Sequence, residues 1–591
     1  MLIQSKKYNL RNYLLIVTLI LTLTMLVSGT VLADDEDKLA IGADEMVAAA
    51  HPLAAEAGME MLEQGGNAVD AAAAIGFSLG VVEPFASGLG GEGVMVLYLA
   101  EEEEVLAIDF KGVAPSLVPE PEDWDTETVT DDEHWRMGPS GSYVPGTPAG
   151  LAYALEEYGT MELDEVLAPA IRQAEEGYEV YGLLADLIAD RNEHANEAWK
   201  DKFMPDGFAP IPGDTITMEN KANTLRTMAE EGVEAFYEGE IAEKIADSLG
   251  EDNGGFFTLQ DLKDYEPIER DPAAGQYRGY DVFSSPPPVT GPIMIKALNI
   301  LDHYNVEKLY ETDKALYKHI FMETFDIAMA DYYNALIDPD FGETPLDQIT
   351  DPKYALERSL MIGETTKEPF YESWFEPVDL IDWDVVEERR AATSDANSLN
   401  KNQLASLTEE PGDGSTTHYV VHDNEGNVVS TTQTISFFMG SRYVVPETGI
   451  LMNNGIGLFS DNPEDIDRID PGKRAPSNLT PTIVLDDGEP YMAIGSPGAT
   501  RIMPAIAQVM INVIDFDKTL KAAIESPRMH YQGQIEDPSE DIIAGLEELG
   551  HEITSYNFPD EYFGGVQALL VEEGIIFGGA DPRRAGVAIG R

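Results

Sequence analysis

A polar, Gly- and Pro-containing stretch without hydrophobic period, "SDANSLNKNQLASLTEEPGDGS" from Ser394 to Ser415, divides this chain into a mainly helical body and a strand-rich tail. It reads as an exposed linker, and it ends abruptly. Beyond it, "THYVVHD" and "VVSTTQT" flank the turn "NEGN", a hairpin signal, and "TPTIVLDDGEPYMAIGS" supplies two more strands around Asp487-Gly488. Two adjacent threonines and a histidine, Thr416, Thr417 and His418, therefore stand where linker becomes strand. Taken alone, such a triplet is a polar strand edge.

Ahead of the linker the periods are mostly helical. "HPLAAEAGMEMLEQGG" carries small and apolar residues at helical spacing and stops at Gly65-Gly66; Asn67 then caps an alanine-rich helix beginning "AVDAAAA". Both predict buried helices. "GLGGEG", Gly88 to Gly93, matches the dinucleotide pattern in form, but "VMVLYLA" follows it as a strand, whereas phosphate binding needs a helix N-terminus there. The nucleotide reading is rejected, and the glycines are assigned to a tight turn and close backbone approach in a packed interior. The run "AEEEEV" reads as a solvated turn rather than a cation site. "LAYALEEYG", "APAIRQAEEGYEV", "EIAEKIADSL" and "ALYKHIFMETFDIAMADYYNAL" read as helices, and "YRGYDVFSSPPPVTGP" as a strand followed by a proline-rich turn. None of the nine histidines falls in a metal-type spacing such as His-Glu-x-x-His, so they are read as surface or core residues. No metal ligand set and no cofactor is assigned.

Composition limits the function classes. The 591 residues suffice for two to four domains or one large layered fold, and 43% hydrophobic residues can bury a sizeable core. Acidic residues outnumber basic ones by 108 to 37, a formal net charge of -71. Such a surface repels itself at low ionic strength, and near 1 M salt the Debye length shrinks to about 3 Å and screens it, so a high-salt environment is expected. Basic residues form no cluster beyond the N-terminus, which argues against nucleic acid as a partner. Residues 1–33 carry Lys6, Lys7 and Arg11, an apolar run from Tyr13 to Val27 and a cleavable Val31-Leu32-Ala33, so they read as a signal peptide. The protein is expected to be exported (secreted, periplasmic or at the cell surface), with no stable membrane span after cleavage; an uncleaved run approaches bilayer length and would act as an anchor. With no cysteine, there is no disulfide and no thiol nucleophile, so a covalent nucleophile must be a hydroxyl, amine or carboxylate.

A threonine hydroxyl is a poor nucleophile unless a base takes its proton. If the bond before Thr416 were cut, the freed α-amine, with a pKa of about 7.7–8.0, would sit on the nucleophile's own residue and act as that base. The same hydroxyl can make the cut by attacking the Ser415 carbonyl, giving an ester that water resolves.

The ordered motifs "HPLAAEAG", "GGNAVDAAAA", "VVEPFASGLGGEG", "DFKGVAP", "VPGTPAGL", "PAIRQAEEGY", "NGGFFTLQDLKDY", "YRGYDVFSSPPPVTG", "TTHYVV", "GILMNN", "PGKRAPSNLTPTIV", "GSPGATR", "PRMH" and "DPRRAG" span about His51 to Arg591. In them the chain resembles the γ-glutamyltranspeptidase (glutathione hydrolase) family of N-terminal-nucleophile hydrolases. The resemblance implies an α/β fold of α+β type, a four-layer αββα sandwich. It also implies one precursor that cuts itself between Ser415 and Thr416 into a large subunit, 34–415, and a small catalytic subunit, 416–591, which stay together as one αββα unit. Carried over by motif, Thr416 is the nucleophile, Thr434 positions its hydroxyl, and the N–H groups of Gly498 and Ala499 form the oxyanion hole.

The substrate side departs from the family's pattern. Where γ-glutamyl-binding members place an arginine for the substrate α-carboxylate, this chain has Lys111, which keeps the charge and loses the bidentate fork. Acidic residues for the substrate α-amine are replaced in "NNGIGLFS" by Gly455, Ile456, Gly457 and Leu458. The carboxylate-binding serine pair reads Ser477-Asn478, and a substrate-contacting asparagine reads Ser436. The segment after Ser460, "DNPEDIDRIDPGKRAP", is short, which leaves room for larger amides. The expected activity is attack on a small-molecule or peptide amide of γ-glutamyl type through a threonyl acyl-enzyme, with transfer to water or an amine. One alternative is an acylase of a non-glutamyl amide; another is an unprocessed, non-catalytic surface binding protein.

Overall fold

The computed structural model describes residues 38–119, 137–363, 365–366, 414–460 and 465–591. The signal peptide expected at 1–33, most of the linker and part of the short segment after Ser460 lie outside them.

Two seven-stranded antiparallel sheets form the centre. Their strands are β1 (Leu39–Gly42), β2 (Met46–Ala49), β3 (Glu92–Leu99), β4 (Glu104–Phe110), β5 (Ile268–Arg270), β6 (Ala273–Tyr277), β7 (Tyr280–Ser284), β8 (Gly414–His422), β9 (Val428–Phe437), β10 (Thr482–Asp486), β11 (Glu489–Gly495), β12 (Gln567–Glu572), β13 (Ile575–Ala580) and β14 (Val587–Gly590). One sheet runs β1-β13-β12-β11-β10-β7-β6 and the other β14-β2-β8-β9-β3-β4-β5.

Side chains alternate between two apolar environments along the central strands, as a sheet covered on both faces requires. Met46, Ala48, Val96, Tyr98, Val420 and Val428 turn inward and meet Ile483, Ala493, Leu569 and Ile576 of the other sheet. Their neighbours Val47, Ala49, Met95, Leu97 and Val429 turn outward onto helices α1 (Pro52–Glu63), α2 (Ala68–Val82), α3 (Thr147–Tyr158) and α4 (Leu163–Glu176). On the far side, Val484, Met492, Ile494, Ala568 and Leu570 pack under α5 (Gly291–Asp302), α6 (Lys314–Ala335) and α8 (Ile502–Ile514). Helix α7 (Pro352–Ser359) adds Ala355 to a satellite cluster with Ile300 and Ile327, and α9 (Glu540–Glu548) contributes Leu546 to the main one. Three apolar cores between four layers give the αββα architecture.

Local signals are realised where the sequence placed them. The Asn67 side chain accepts from Asp70 N–H while the Asp70 carboxylate accepts from Asn67 N–H, a reciprocal cap, and every residue of α2 is buried. Glu101, Glu102 and Glu103 form the exposed turn between β3 and β4. The glycine stretch is closely packed: a Cβ on Gly90 would lie 2.2 Å from the Leu451 carbonyl oxygen, and one on Gly91 2.4 Å from that of Thr434. One expectation changes. "YRGYDVF" is not part of a single strand, because Arg278 (φ 54°) and Gly279 (φ 94°) turn the chain between β6 and β7.

Strands from either side of Thr416 are interleaved. β8 lies between β2 and β9, and β9 pairs onward with β3. In the other sheet β13 pairs with β1 and β10 with β7. A cut before Thr416 would therefore leave both products sharing ladder hydrogen bonds in both sheets. Among the described residues, no helix is long and apolar enough to cross a membrane.

Candidate active site

The start of β8 is irregular. Ser415 pairs with Ser436 but Thr416 pairs with Thr434, so Ile435 is an extra residue on β9. Ser436 takes φ 80°, a left-handed conformation unfavourable for a residue with a Cβ. The bulge brings the Thr416 hydroxyl to 3.3 Å from that of Thr434. Thr434 Oγ1 also donates to the Ser415 carbonyl and accepts from the Ser436 N–H at 2.9 Å. A hydroxyl offers one proton and two acceptor positions, and here all three are engaged. Both threonines are buried, 4% and 3% exposed.

The bond between Ser415 and Thr416 is anchored on both sides. The Ser415 hydroxyl donates to the Phe85 carbonyl, and Arg584 Nη1 donates to the Thr416 carbonyl at 3.1 Å. Arg584 also stands 3.8 Å from Glu83, whose carboxyl burial pushes up to about 7 against the opposing pull of the guanidinium. His418 Nδ1 lies 2.9 Å from Thr432 Oγ1. Burial pushes its imidazole down to about 3, so it stays neutral near pH 7.

The turn after β11 packs against β8. Gly498 adopts φ 131° and Ala499 φ 50°; a Cβ at Gly498 would meet the Gly564 Cα at 3.2 Å. Among the described residues neither N–H donates a backbone hydrogen bond, as at the start of a short 3-10 helix, Ala499–Arg501.

Lys111 is fully buried. Its ammonium is bonded to Glu92, whose other carboxylate oxygen accepts the Gly112 N–H at 2.7 Å. Glu92 pairs directly with Thr434 across β3 and β9. The Tyr143 hydroxyl is 3.2 Å from Ser436 Oγ, and burial followed by the Glu92 charge raises its pKa. Lys111, Glu92, Tyr143, Ser436 and Thr434 thus form a continuous polar chain leading to Thr416. Glu92 and Tyr143 were not singled out in the sequence; the available signal was a lone carboxylate among the glycines of "GLGGEG".

The paired asparagines hold backbone. Asn453 bridges Gly90, Tyr143 and Gly455, and Asn454 accepts from the Phe437 N–H at 2.9 Å. Gly455 has no room for a side chain, since a Cβ there would fall 1.4 Å from the Tyr143 ring. Ser477 and Asn478 run beside Val289, and Leu479 packs on Val94 of β3. No hydrogen bond joins the Ser477 or Asn478 side chains to Thr416 or Lys111 among the described residues; Asn478 Oδ1 is buried without a partner.

A sequence profile of the Gamma-glutamyltranspeptidase family matches residues 54–591. The chain belongs to this family. It is 34% identical over 579 residues to a glutathione hydrolase proenzyme of Bacillus subtilis (strain 168), covering 94% of this chain and 93% of that protein. It is 33% identical over 513 residues to an acylase proenzyme, ACY 1, of Pseudomonas sp. (strain SE83), covering 85% of each. In three dimensions it matches the crystal structure of cephalosporin acylase from Bacillus halodurans with a TM-score of 0.78 and 30% identity, covering 94% of this chain and 97% of that one. The fold is therefore that of the family's N-terminal-nucleophile hydrolases, and the protein is a γ-glutamyltransferase-family enzyme.

Proposed function

We propose that the chain is a self-processing amidase in which Thr416 is first the cutter of its own backbone and then the catalytic nucleophile. In the first step Thr416 Oγ1 attacks the Ser415 carbonyl carbon, the peptide nitrogen leaves as the Thr416 α-amine, and an ester joins the two residues. Water then cleaves that ester, freeing the Ser415 carboxylate and the Thr416 hydroxyl. In turnover the α-amine takes the hydroxyl proton as Thr416 attacks a γ-glutamyl-type amide such as that of glutathione. The amine product leaves protonated, and the acyl group passes to water or to an acceptor amine. Gly498 and Ala499 N–H groups would stabilise the tetrahedral oxyanion.

The observation that carries this reading is the hydroxyl of Thr434, which faces the Thr416 hydroxyl and donates to the Ser415 carbonyl. The proenzyme relatives support it. A second reading, an acylase of a non-glutamyl amide, is favoured by the Lys111–Glu92 pair. With its charge already neutralised, Lys111 has little left for a substrate carboxylate, and no acid in Gly455–Leu458 awaits a substrate ammonium. Export and operation at high salt belong to the same proposal and rest on the N-terminal pattern and the net charge of -71.

Matched γ-glutamyl, glutaryl and butyryl anilides test it. Glutamate release from the first supports the γ-glutamyl reading, and turnover of the others alone supports the acylase. Loss of all turnover in Thr416→Ala is expected in either case; an active alanine variant would reject the mechanism.

A further inference from the structure

In the helical layer beyond the sheet that lacks Thr416, the fold gathers residues that no sequence spacing had connected. His319 and Glu323 stand one turn apart on α6, and His551 follows α9. One ligand atom from each lies within 4.8 Å of the others. His319 Nε2 is 3.0 Å from the Gly363 carbonyl oxygen, which can only accept, so Nε2 carries the ring proton and Nδ1 presents its lone pair. That lone pair faces His551 Nε2 at 2.9 Å.

We propose that His319, Glu323 and His551 bind one divalent transition metal of the zinc class. Two neutral imidazole nitrogens and a carboxylate oxygen are zinc ligands, whereas calcium and magnesium favour all-oxygen sets. A backbone carbonyl holding the far nitrogen of a ligating histidine is the usual means of fixing its tautomer and aim, and Gly363 does this for His319. Ligand atoms about 2.1 Å from a tetrahedral zinc stand about 3.4 Å apart, so small side-chain rotations close the site, and water takes the fourth position.

The site joins segments from both sides of Thr416. His319, Glu323 and Gly363 precede the junction and His551 follows it, and the Thr366 N–H is bonded to the Leu549 carbonyl at 2.7 Å beside the site. Bound metal would therefore brace the two parts of the chain against each other and take no part in the reaction at Thr416.

The test uses untagged full-length protein, exchanged into zinc chloride and then freed of excess. Elemental analysis is expected to return about one zinc per chain, with a higher melting temperature than the chelator-treated protein and no such shift with calcium or magnesium. Glu323→Gln and His551→Gln, changed at the two partly exposed positions, are expected to reduce retained zinc at least tenfold and abolish the zinc-dependent shift while amidase activity persists. Cobalt substitution adds a visible absorption band in the wild type alone. Wild-type protein that retains no zinc, or variants that retain as much as wild type, would overturn the assignment and leave a plain hydrogen-bonded histidine pair.

Discussion

Replacing Thr434 by valine removes one oxygen and keeps the shape of the side chain. In the uncut chain that oxygen donates to the Ser415 carbonyl, accepts from the Ser436 N–H at 2.9 Å and lies 3.3 Å from the attacking hydroxyl. As Thr416 attacks, negative charge grows on the Ser415 carbonyl oxygen, where the Thr434 proton already points. Losing one such preorganised donor typically slows an acyl transfer about 10²–10³-fold. The folding cost is of a different kind: two buried backbone groups lose a partner, about 1–3 kcal/mol each. That falls on one bulge in a structure held by three apolar cores, so the variant is expected to fold. The assay follows freshly made precursor on denaturing gels and fits conversion of the full-length band into two fragments. Thr434→Val should cut about 10²–10³ times more slowly than wild type, and Thr434→Ser, which keeps the hydroxyl, should stay within about tenfold. A valine variant that cuts at the wild-type rate would refute the role assigned to this hydroxyl.

Breaking the internal ion pair with Glu92→Gln leaves the fully buried Lys111 without its carboxylate and should cost about 3–5 kcal/mol in denaturant unfolding, with Glu92→Gln/Lys111→Met recovering a large part. An unchanged unfolding midpoint in Glu92→Gln would contradict the pairing. His418 is held neutral, with its pKa lowered from 6.5 to about 3, so its contribution is complete above pH 6.5 and is lost as pH falls toward about 3, where the unfolded chain takes up a proton the folded one resists. His418→Gln should therefore show a shallower loss of stability over that window; parallel curves for the two proteins would contradict it. Given the net charge of -71, the melting temperature should fall steadily as sodium chloride is lowered from about 1 M, and a salt-independent value would reject the high-salt reading.

Much of the architecture was legible because its signals are local. The Asn67 cap, the stop at Gly65-Gly66, the "NEGN" hairpin and the Asp487-Gly488 turn are written in a few adjacent residues and appear where the sequence placed them. The threonine pair was legible through motif resemblance, and the bulge that brings the two hydroxyls together was not, since a one-residue register shift depends on how β8 meets β9. Glu92 escaped notice because its partners, Lys111 and Tyr143, come from the residue just past the neighbouring strand β4 and from a distant loop. Lys111 has the charge expected for gripping a carboxylate, but its neutralisation by Glu92 exists only after β3 and β4 have paired. His319 and His551 likewise meet only when α6 packs beside the loop after α9.

The central claim is that Thr416 becomes a chain end. N-terminal sequencing and intact mass of the small fragment, taken from active wild-type protein and from Thr416→Ala, test it most directly. The account predicts a fragment beginning Thr-Thr-His-Tyr in the wild type and a single inactive chain in the variant. An active wild-type polypeptide that remains continuous through Ser415 and Thr416 would contradict it.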